Sequence, residues 1–391
     1  MHLSFIPEST LLLGPGPSPV HDSVLAATSQ PTIGHLDKQC FALMNEIKQM
    51  LQQVFQTRNA LTIPLSGPGS AGMEACVANL VEPNEKVVVC INGAFGQRIA
   101  DSARKVGGNV IEVRTAWGRP ITPTALRDTL TQHPDAKSVC FVHGETSTGV
   151  LNDAQALCAV AREFGALTIV DAVTSLGGVE VKVDEWGIDA IFSGTQKCLS
   201  CPPGLSPISL SERAVNKLTQ RQSPIPSWFL DLSMISNYWD VSSRAYHHTA
   251  PINALYGLHQ ALSNVLEEGR EELMARHAEC QELLISGLET LGLECLVDKD
   301  SRLPQLTTIL IPDYMDDKDF REQLMAEYKI EIGGGIGELA GQVWRIGLMG
   351  NGARPEYVEQ LLDAMSRLHL RSFIQIEMQA DSAAQPATCL N

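Results

Sequence analysis

The chain is predicted to adopt an α/β fold: a mainly parallel sheet covered by helices, followed by a smaller α+β unit. Three observations predict it. Between Val87 and Val170, short strands that are apolar throughout alternate with helical patterns, the signature of parallel strands buried on both faces. A strand followed by a glycine-rich turn and a helix, around Gly67–Gly72, precedes that alternation. Beyond Leu293 the strand and helix patterns begin afresh, and 391 residues are too many for one small core.

The elements follow in order. Leu11–Leu13 is stopped by the rigid turn Gly14-Pro15-Gly16-Pro17. Val20–Thr28 reads as a short helix, and Phe41–Phe55 as a helix with its stripe at Leu43, Ile47, Met50, Leu51 and Val54. Leu61–Leu65 is a strand and Met73–Leu80 a helix. Strands then fall at Val87–Ile91, Val110–Val113, Val139–Val142 and Leu167–Val170. Helices fall at Gly96–Val106, Thr122–Gln132 and Asp153–Phe164. Gly187–Phe192 is a further strand, and Pro207–Leu210 is expected to return antiparallel. Pro224–Thr249 reads as irregular and aromatic, and Tyr256–Leu288 as helix broken near Gly269. The last unit has strands near Leu306–Ile311 and Val343–Ile346, helices near Lys318–Tyr328 and Pro355–Leu368, and a frayed end at Gln379–Asn391. The expected organisation is an N-terminal segment (1–19), a large domain (20–255), and a linker helix with a small domain (256–391).

Composition narrows the function. Hydrophobic residues at 44% and charged residues at 19% mark a globular chain, not a disordered one. A formal net charge of −16 disfavours nucleic acid and anionic membranes as partners. No apolar run is long enough to span a bilayer. Met1–Ser9 lacks the features of a signal peptide, and the ending Thr-Cys-Leu-Asn is not the peroxisomal tripeptide, so a cytoplasmic protein is expected. Ten cysteines without framework spacing are expected to be reduced. Cys198 and Cys201 form a lone C-x-x-C, with no second pair and no histidine pair nearby, and read as incidental.

The stretch Ile191–Gly204 places a single lysine, Lys197, on a turn after a strand, where ligands gather in open α/β sheets. Lysine is the amine that forms Schiff bases with aldehydes, pyridoxal phosphate included. A solvated loop lysine is the ordinary alternative, so partners decide. Gly67-Pro68-Gly69-Ser70-Ala71-Gly72 matches G-x-G-x-x-G and could cradle a phosphate on backbone N–H groups. A dinucleotide would want an acid at the end of the next strand, where Asn92 stands instead. Asp171 ends a strand and could hold a pyridine nitrogen protonated, or merely cap a turn. Phe95 could stack on a flat ring, Thr146 could bond a ring oxygen, and Arg345 could grip a carboxylate or form a structural ion pair.

Taken in order, these blocks resemble the alanine–glyoxylate and serine–pyruvate aminotransferase group of the class V, fold-type I pyridoxal phosphate enzymes. The resemblance runs from about Leu11 to Leu368. It is carried by Leu-Gly-Pro-Gly-Pro at 13–17, Ile-Gly-His at 33–35, Phe-Gln-Thr-Arg-Asn at 55–59, Ser-Gly-x-Gly at 66–69 and Asn-Gly-x-x-Gly-Gln-Arg at 92–98. His-Gly-Glu-Thr-Ser-Thr-Gly at 143–149, Ser-Gly-Thr-Gln-Lys at 193–197, Tyr-His-His-Thr at 246–249 and Arg-Ile-Gly-Leu at 345–348 complete it.

The resemblance implies a seven-stranded sheet, pyridoxal 5′-phosphate as cofactor, and ping-pong transfer of nitrogen from a small amino acid to glyoxylate or pyruvate. It implies Lys197 as the Schiff-base lysine and proton shuttle, and Asp171 on the pyridine nitrogen. Thr146 would bond the ring hydroxyl, and Phe95 stands where the group usually stacks a tryptophan. Gly69, Ser70 and Gln196 would hold the phosphate. Tyr246 and Thr249 would reach it from a partner subunit, making a homodimer with a shared site. Arg345 would bind the substrate carboxylate, with Gly34 lining the small-substrate pocket. Pro68 departs from the group's usual serine or threonine and lacks both hydroxyl and N–H, so weaker cofactor retention, compensation by Ser70, or a phosphate-free vitamer are open. The rival activities are 2-aminoethylphosphonate–pyruvate and ureidoglycine–glyoxylate transamination, with cysteine desulfurase disfavoured for want of a cysteine on a mobile loop. A silent binding protein on this fold and a nicotinamide oxidoreductase are the rivals of other classes.

Overall fold

A computed structural model describes residues 6–240 and 242–384. The chain opens with β1 (Leu11–Leu12), α1 (Asp22–Thr28), α2 (Lys38–Phe55), β2 (Leu61–Ser66) and α3 (Gly69–Leu80). The alternation then runs β3 (Lys86–Ile91), α4 (Ala94–Lys105), β4 (Asn109–Arg114), α5 (Pro123–Gln132) and β5 (Ser138–Val142). A small hairpin, β6 (Gly144–Glu145) and β7 (Val150–Leu151), leads to α6 (Ala154–Glu163), β8 (Leu167–Asp171), α7 (Val183–Trp186), β9 (Ala190–Phe192) and β10 (Leu205–Leu210). After α8 (Glu212–Thr219) and α9 (Leu232–Trp239) come the long α10 (Ile252–Glu268) and α11 (Arg270–Thr290). The last unit holds β11 (Leu306–Leu310), α12 (Asp317–Tyr328), β12 (Ile330–Glu331), β13 (Gly333–Gly334), β14 (Val343–Gly347) and α13 (Pro355–Ala384).

Seven strands form the main sheet in the order β2-β10-β9-β8-β5-β3-β4. All neighbours run parallel except β10, which is antiparallel to both β2 and β9. The expected antiparallel return is therefore present, and so is the mainly parallel sheet. Strands β5, β8 and β9 are buried at every position, which explains their unbroken apolar reading. A second core gathers Leu284, Leu288, Ile309, Phe320, Trp344 and Leu361 around the three-stranded sheet β11-β14-β13. Leu13 belongs to that second core, because β1 pairs in parallel with β12, so the N-terminal segment is stitched to the C-terminal unit.

Four elements differ from the sequence reading. The strand expected at Gly187–Phe192 begins only at Ala190: Gly187 takes the left-handed conformation (φ 66°) that ends the short helix α7. Helix α3 begins at Gly69 rather than Met73, so the glycine-rich turn is itself the helix start. The aromatic stretch contains helix α9, whose cap Asp231 accepts from the N–H groups of Ser233 and Met234. Helix α13 continues to Ala384, past the expected frayed point at Gln379; residues 385–391 lie outside the described residues. Thr122 caps α5 as its sequence suggested, with Oγ1 accepting from Ala125 N–H at 3.2 Å. Gly269 breaks the long helix into α10 and α11.

Candidate active site

The C-terminal ends of β8 and β9 and the start of α3 converge on a cavity of about 190 Å³. Asp171 is the last residue of β8, and Lys197 sits five residues beyond Phe192, its register neighbour on β9. Parallel strands carry side chains to one edge of the sheet, so both groups arrive at the same crevice. The cavity is lined by Pro68, Gly69, Ser70, Phe95, Thr146 and Gln196 as well as by Asp171 and Lys197. Eight positions singled out by the sequence therefore meet here, the departing Pro68 among them.

Burial sets the charge state of the central pair. Lys197 is 8% exposed, and the desolvation of its ammonium, aided by the nearby Arg345 charge, lowers its pKa to about 8. Asp171 is 4% exposed, and burial raises its carboxyl to about 7, with Glu145 adding to the rise. The Val173 N–H, donated to Asp171 Oδ1 at 2.8 Å, and the Lys197 charge pull it back down. Backbone ties fix the strand ends: His143 N–H donates to the Asp171 carbonyl at 2.8 Å. The His143 ring packs edge-on against Trp186, and burial holds it neutral, with its pKa lowered to about 4.

Two contributors escaped the sequence reading. The first is the N-terminal turn. Lys197 Nζ donates to the Pro15 carbonyl, Ser18 N–H donates to the Gln196 carbonyl at 2.9 Å, and Ser18 Oγ donates to the Lys197 carbonyl at 2.6 Å. Gly16 (φ 105°) lies against the lysine; a Cβ there would stand 2.7 Å from Nζ. The glycine-proline run was visible as a rigid turn, but its docking site some 180 residues away was not. The second is Glu145, fully buried below the start of α4. Its carboxylate accepts from Ser147 Oγ at 2.5 Å, and from the N–H groups of Ser147 at 3.1 Å, Phe95 at 3.4 Å and Gly96 at 3.2 Å. It thereby anchors the helix turn that carries Phe95. The signal was the acid in His-Gly-Glu-Thr directly after an apolar strand.

The remaining candidates sort by position. Arg345 lies on β14, 7% exposed, and its guanidinium donates to two carbonyls, Gly334 at 2.8 Å and Thr146 at 3.1 Å. Among the described residues it forms no ion pair, so the structural salt bridge considered above is not made. Burial lowers its pKa to about 10, which leaves it charged. Thr146 Oγ1 is shared with Thr174 Oγ1 at 2.7 Å. Gln196 lines the cavity, and its Oε1 is buried with no hydrogen-bond partner. Ser66 Oγ, at the end of β2, lies 2.8 Å from His248 Nε2.

Gly34, Tyr246 and Thr249 do not line this cavity. Tyr246 is 59% exposed, its hydroxyl is 3.4 Å from Thr249 Oγ1, and its ring lies 5.3 Å from that of His35, beside the exposed Gly34. The three therefore share one outer face. Cys198 and Cys201 are buried free thiols pushed up to about 12 by burial, and Cys198 Sγ donates to the Thr174 carbonyl. No cluster able to hold a metal occurs among the described residues.

The profile of the class V aminotransferases matches residues 14–344. The chain belongs to this family. Among solved structures it is similar to an alanine–glyoxylate aminotransferase from Nostoc sp., at 45% identity and a TM-score of 0.92, over 94% of this chain and 97% of that one. It is 38% identical to the (S)-ureidoglycine–glyoxylate transaminase of Bacillus subtilis (strain 168), over 96% of this chain and 94% of that relative. A pyridoxamine–pyruvate aminotransferase from Mesorhizobium loti shares the fold at 28% identity and a TM-score of 0.89, over 94% of this chain and 93% of that one. This class V transaminase thus has the α/β architecture its sequence predicted. The nicotinamide alternative falls with it: Asn92, at the strand end where a ribose acid would stand, is buried and bonded to the Arg119 carbonyl and Asn152. No helix among the described residues is long and apolar enough to cross a membrane.

Proposed function

We propose that this transaminase uses pyridoxal 5′-phosphate to move nitrogen from alanine or serine to glyoxylate or pyruvate. The observation that carries the reading is an amine and a carboxylate, Lys197 and Asp171, buried in one cavity that the start of α3 also lines. The cofactor, when bound, supplies an aldehyde for amines and a ring that takes up electrons released at a substrate carbon.

The residues then divide the work. Lys197 offers Nζ as a nucleophile near neutral pH and afterwards carries a proton on the same atom. Asp171 would hold a protonated ring nitrogen, whose positive charge would favour the ionised form of its raised carboxyl. Phe95 would offer its ring for stacking, and Thr146 Oγ1 would offer a hydrogen bond to the ring hydroxyl. Gly69, Ser70 and Gln196, at or beside the start of α3, would hold the phosphate. Arg345 takes the substrate carboxylate in a two-pronged grip. Gly34, Tyr246 and Thr249 act across a homodimer, their shared outer face turned toward the partner's cavity. Nine described cysteines are all free, which suits a reducing cytoplasm.

Likeness to an alanine–glyoxylate enzyme and to a ureidoglycine–glyoxylate enzyme makes the donor the open choice. Initial rates with alanine, serine, ureidoglycine and 2-aminoethylphosphonate, each against glyoxylate and pyruvate, decide it. Alanine or serine is expected to lead; a leading ureidoglycine or aminophosphonate overturns the donor, and no transfer at all overturns the activity.

The Lys197 environment sets a pH dependence. The free amine is the attacking form, so capture of pyridoxal phosphate by cofactor-free protein should speed up about tenfold per pH unit below the lysine pKa and level off above it. With that pKa lowered to about 8, the plateau should begin near pH 8. A stopped-flow rate that keeps climbing to the pKa of an ordinary lysine contradicts the buried assignment.

A further inference from the structure

We propose that Arg98 is the cation that holds the cofactor's phosphate in this chain, supplying what Pro68 cannot. The inference rests on the pyridoxal phosphate reading above and concerns how that group is retained.

The cradle itself is neutral. Pro68 caps α3 with no side-chain hydrogen bond and has neither hydroxyl nor N–H to offer. Gly69 and Ser70 contribute the helix start, and Gln196 an amide. A phosphate monoester carries about −1.5 to −2 charge at neutral pH, which a helix end of roughly +0.5 does not balance. Two cations line the cavity, Lys197 and Arg98. Lys197 is committed to the aldehyde end. Arg98 remains.

Its position suits the task. Arg98 follows Phe95 by three residues, on the same face of α4. Its guanidinium carbon stands over the Phe95 ring, 4.7 Å from the centroid, so the side chain is laid along the wall that also carries the ring-stacking residue. The neighbouring acids are occupied by other groups. Asp101 bonds Arg104 and Gln97, Glu112 bonds Arg104 and Arg114, and Glu145 is taken by Ser147 and the start of α4. Among the described residues no carboxylate pairs with Arg98. A planar fork of N–H donors with no anion of its own, beside an uncharged phosphate cradle, fits a phosphate.

The test uses cofactor-free wild-type protein, Arg98→Gln and Arg98→Lys, with pyridoxal phosphate and phosphate-free pyridoxal measured separately by equilibrium dialysis. Arg98→Gln should weaken pyridoxal phosphate about 10- to 100-fold, the size of a lost charged hydrogen-bond pair, and change pyridoxal by less than about threefold. Arg98→Lys should recover part of the loss, since it restores charge without the fork. Inorganic phosphate should compete with pyridoxal phosphate on the wild type and lose potency on Arg98→Gln by a similar factor. Equal losses for both vitamers, which mark a packing role against Phe95, overturn the proposal, as does an unchanged affinity for pyridoxal phosphate. Wild-type protein that binds neither vitamer sinks the cofactor reading itself, a result distinguishable from either of these.

Discussion

Lys197→Ala is expected to lose the visible absorption of lysine-bound cofactor and at least about 10⁴-fold of kcat/KM, because the nucleophile and the proton carrier are one atom. The alanine leaves a small polar-edged gap beside Pro15 and Gly16 and removes no apolar core. The fold should therefore survive, and an unchanged far-UV circular dichroism spectrum checks that. An ordinary surface lysine would show neither loss. Turnover within about tenfold of wild type would remove Lys197 from the chemistry.

Asp171→Asn isolates charge from shape. The amide fits the same space at the end of β8 and keeps an oxygen for the Val173 N–H. It cannot keep a ring nitrogen protonated. Cofactor should still bind, while kcat falls by about 10²–10³-fold, the scale of removing one preorganised electrostatic partner. The variant should also bind cofactor with a flatter pH profile between pH 5 and 8, because the carboxyl raised to about 7 in the free protein no longer titrates there. Stopped-flow half-reactions with alanine separate the two effects. A kcat within about threefold of wild type would assign Asp171 to turn capping, the alternative that its sequence position also allowed.

The architecture was legible because the buried strands state it residue by residue. Lys86–Ile91, Ser138–Val142 and Leu167–Asp171 are covered on both faces, so no polar alternation dilutes the signal. Residues placed by strand ends were legible for the same reason: Asp171, Thr146 and Lys197 follow directly from where an apolar run stops. What failed depended on local backbone geometry or on distance. A left-handed Gly187 shortens β9, and a helix that starts on Pro68–Gly69 hides behind two residues poor in helix propensity. Aromatic residues concealed the capped helix α9. The docking of Pro15, Gly16 and Ser18 on the lysine turn is long-range contact, which no periodicity encodes. Tyr246 and Thr249 illustrate a further limit: they lie on an exposed face outside the cavity, and the role proposed for them needs a second copy of the chain.

The covalent link proposed for Lys197 can be tested directly. Protein loaded with pyridoxal phosphate, reduced with borohydride and digested, should carry the pyridoxyl group on the peptide containing Lys197 in peptide mass spectrometry, with other lysines bare. A pyridoxyl group found on another lysine, with the Lys197 peptide unmodified, would contradict the account.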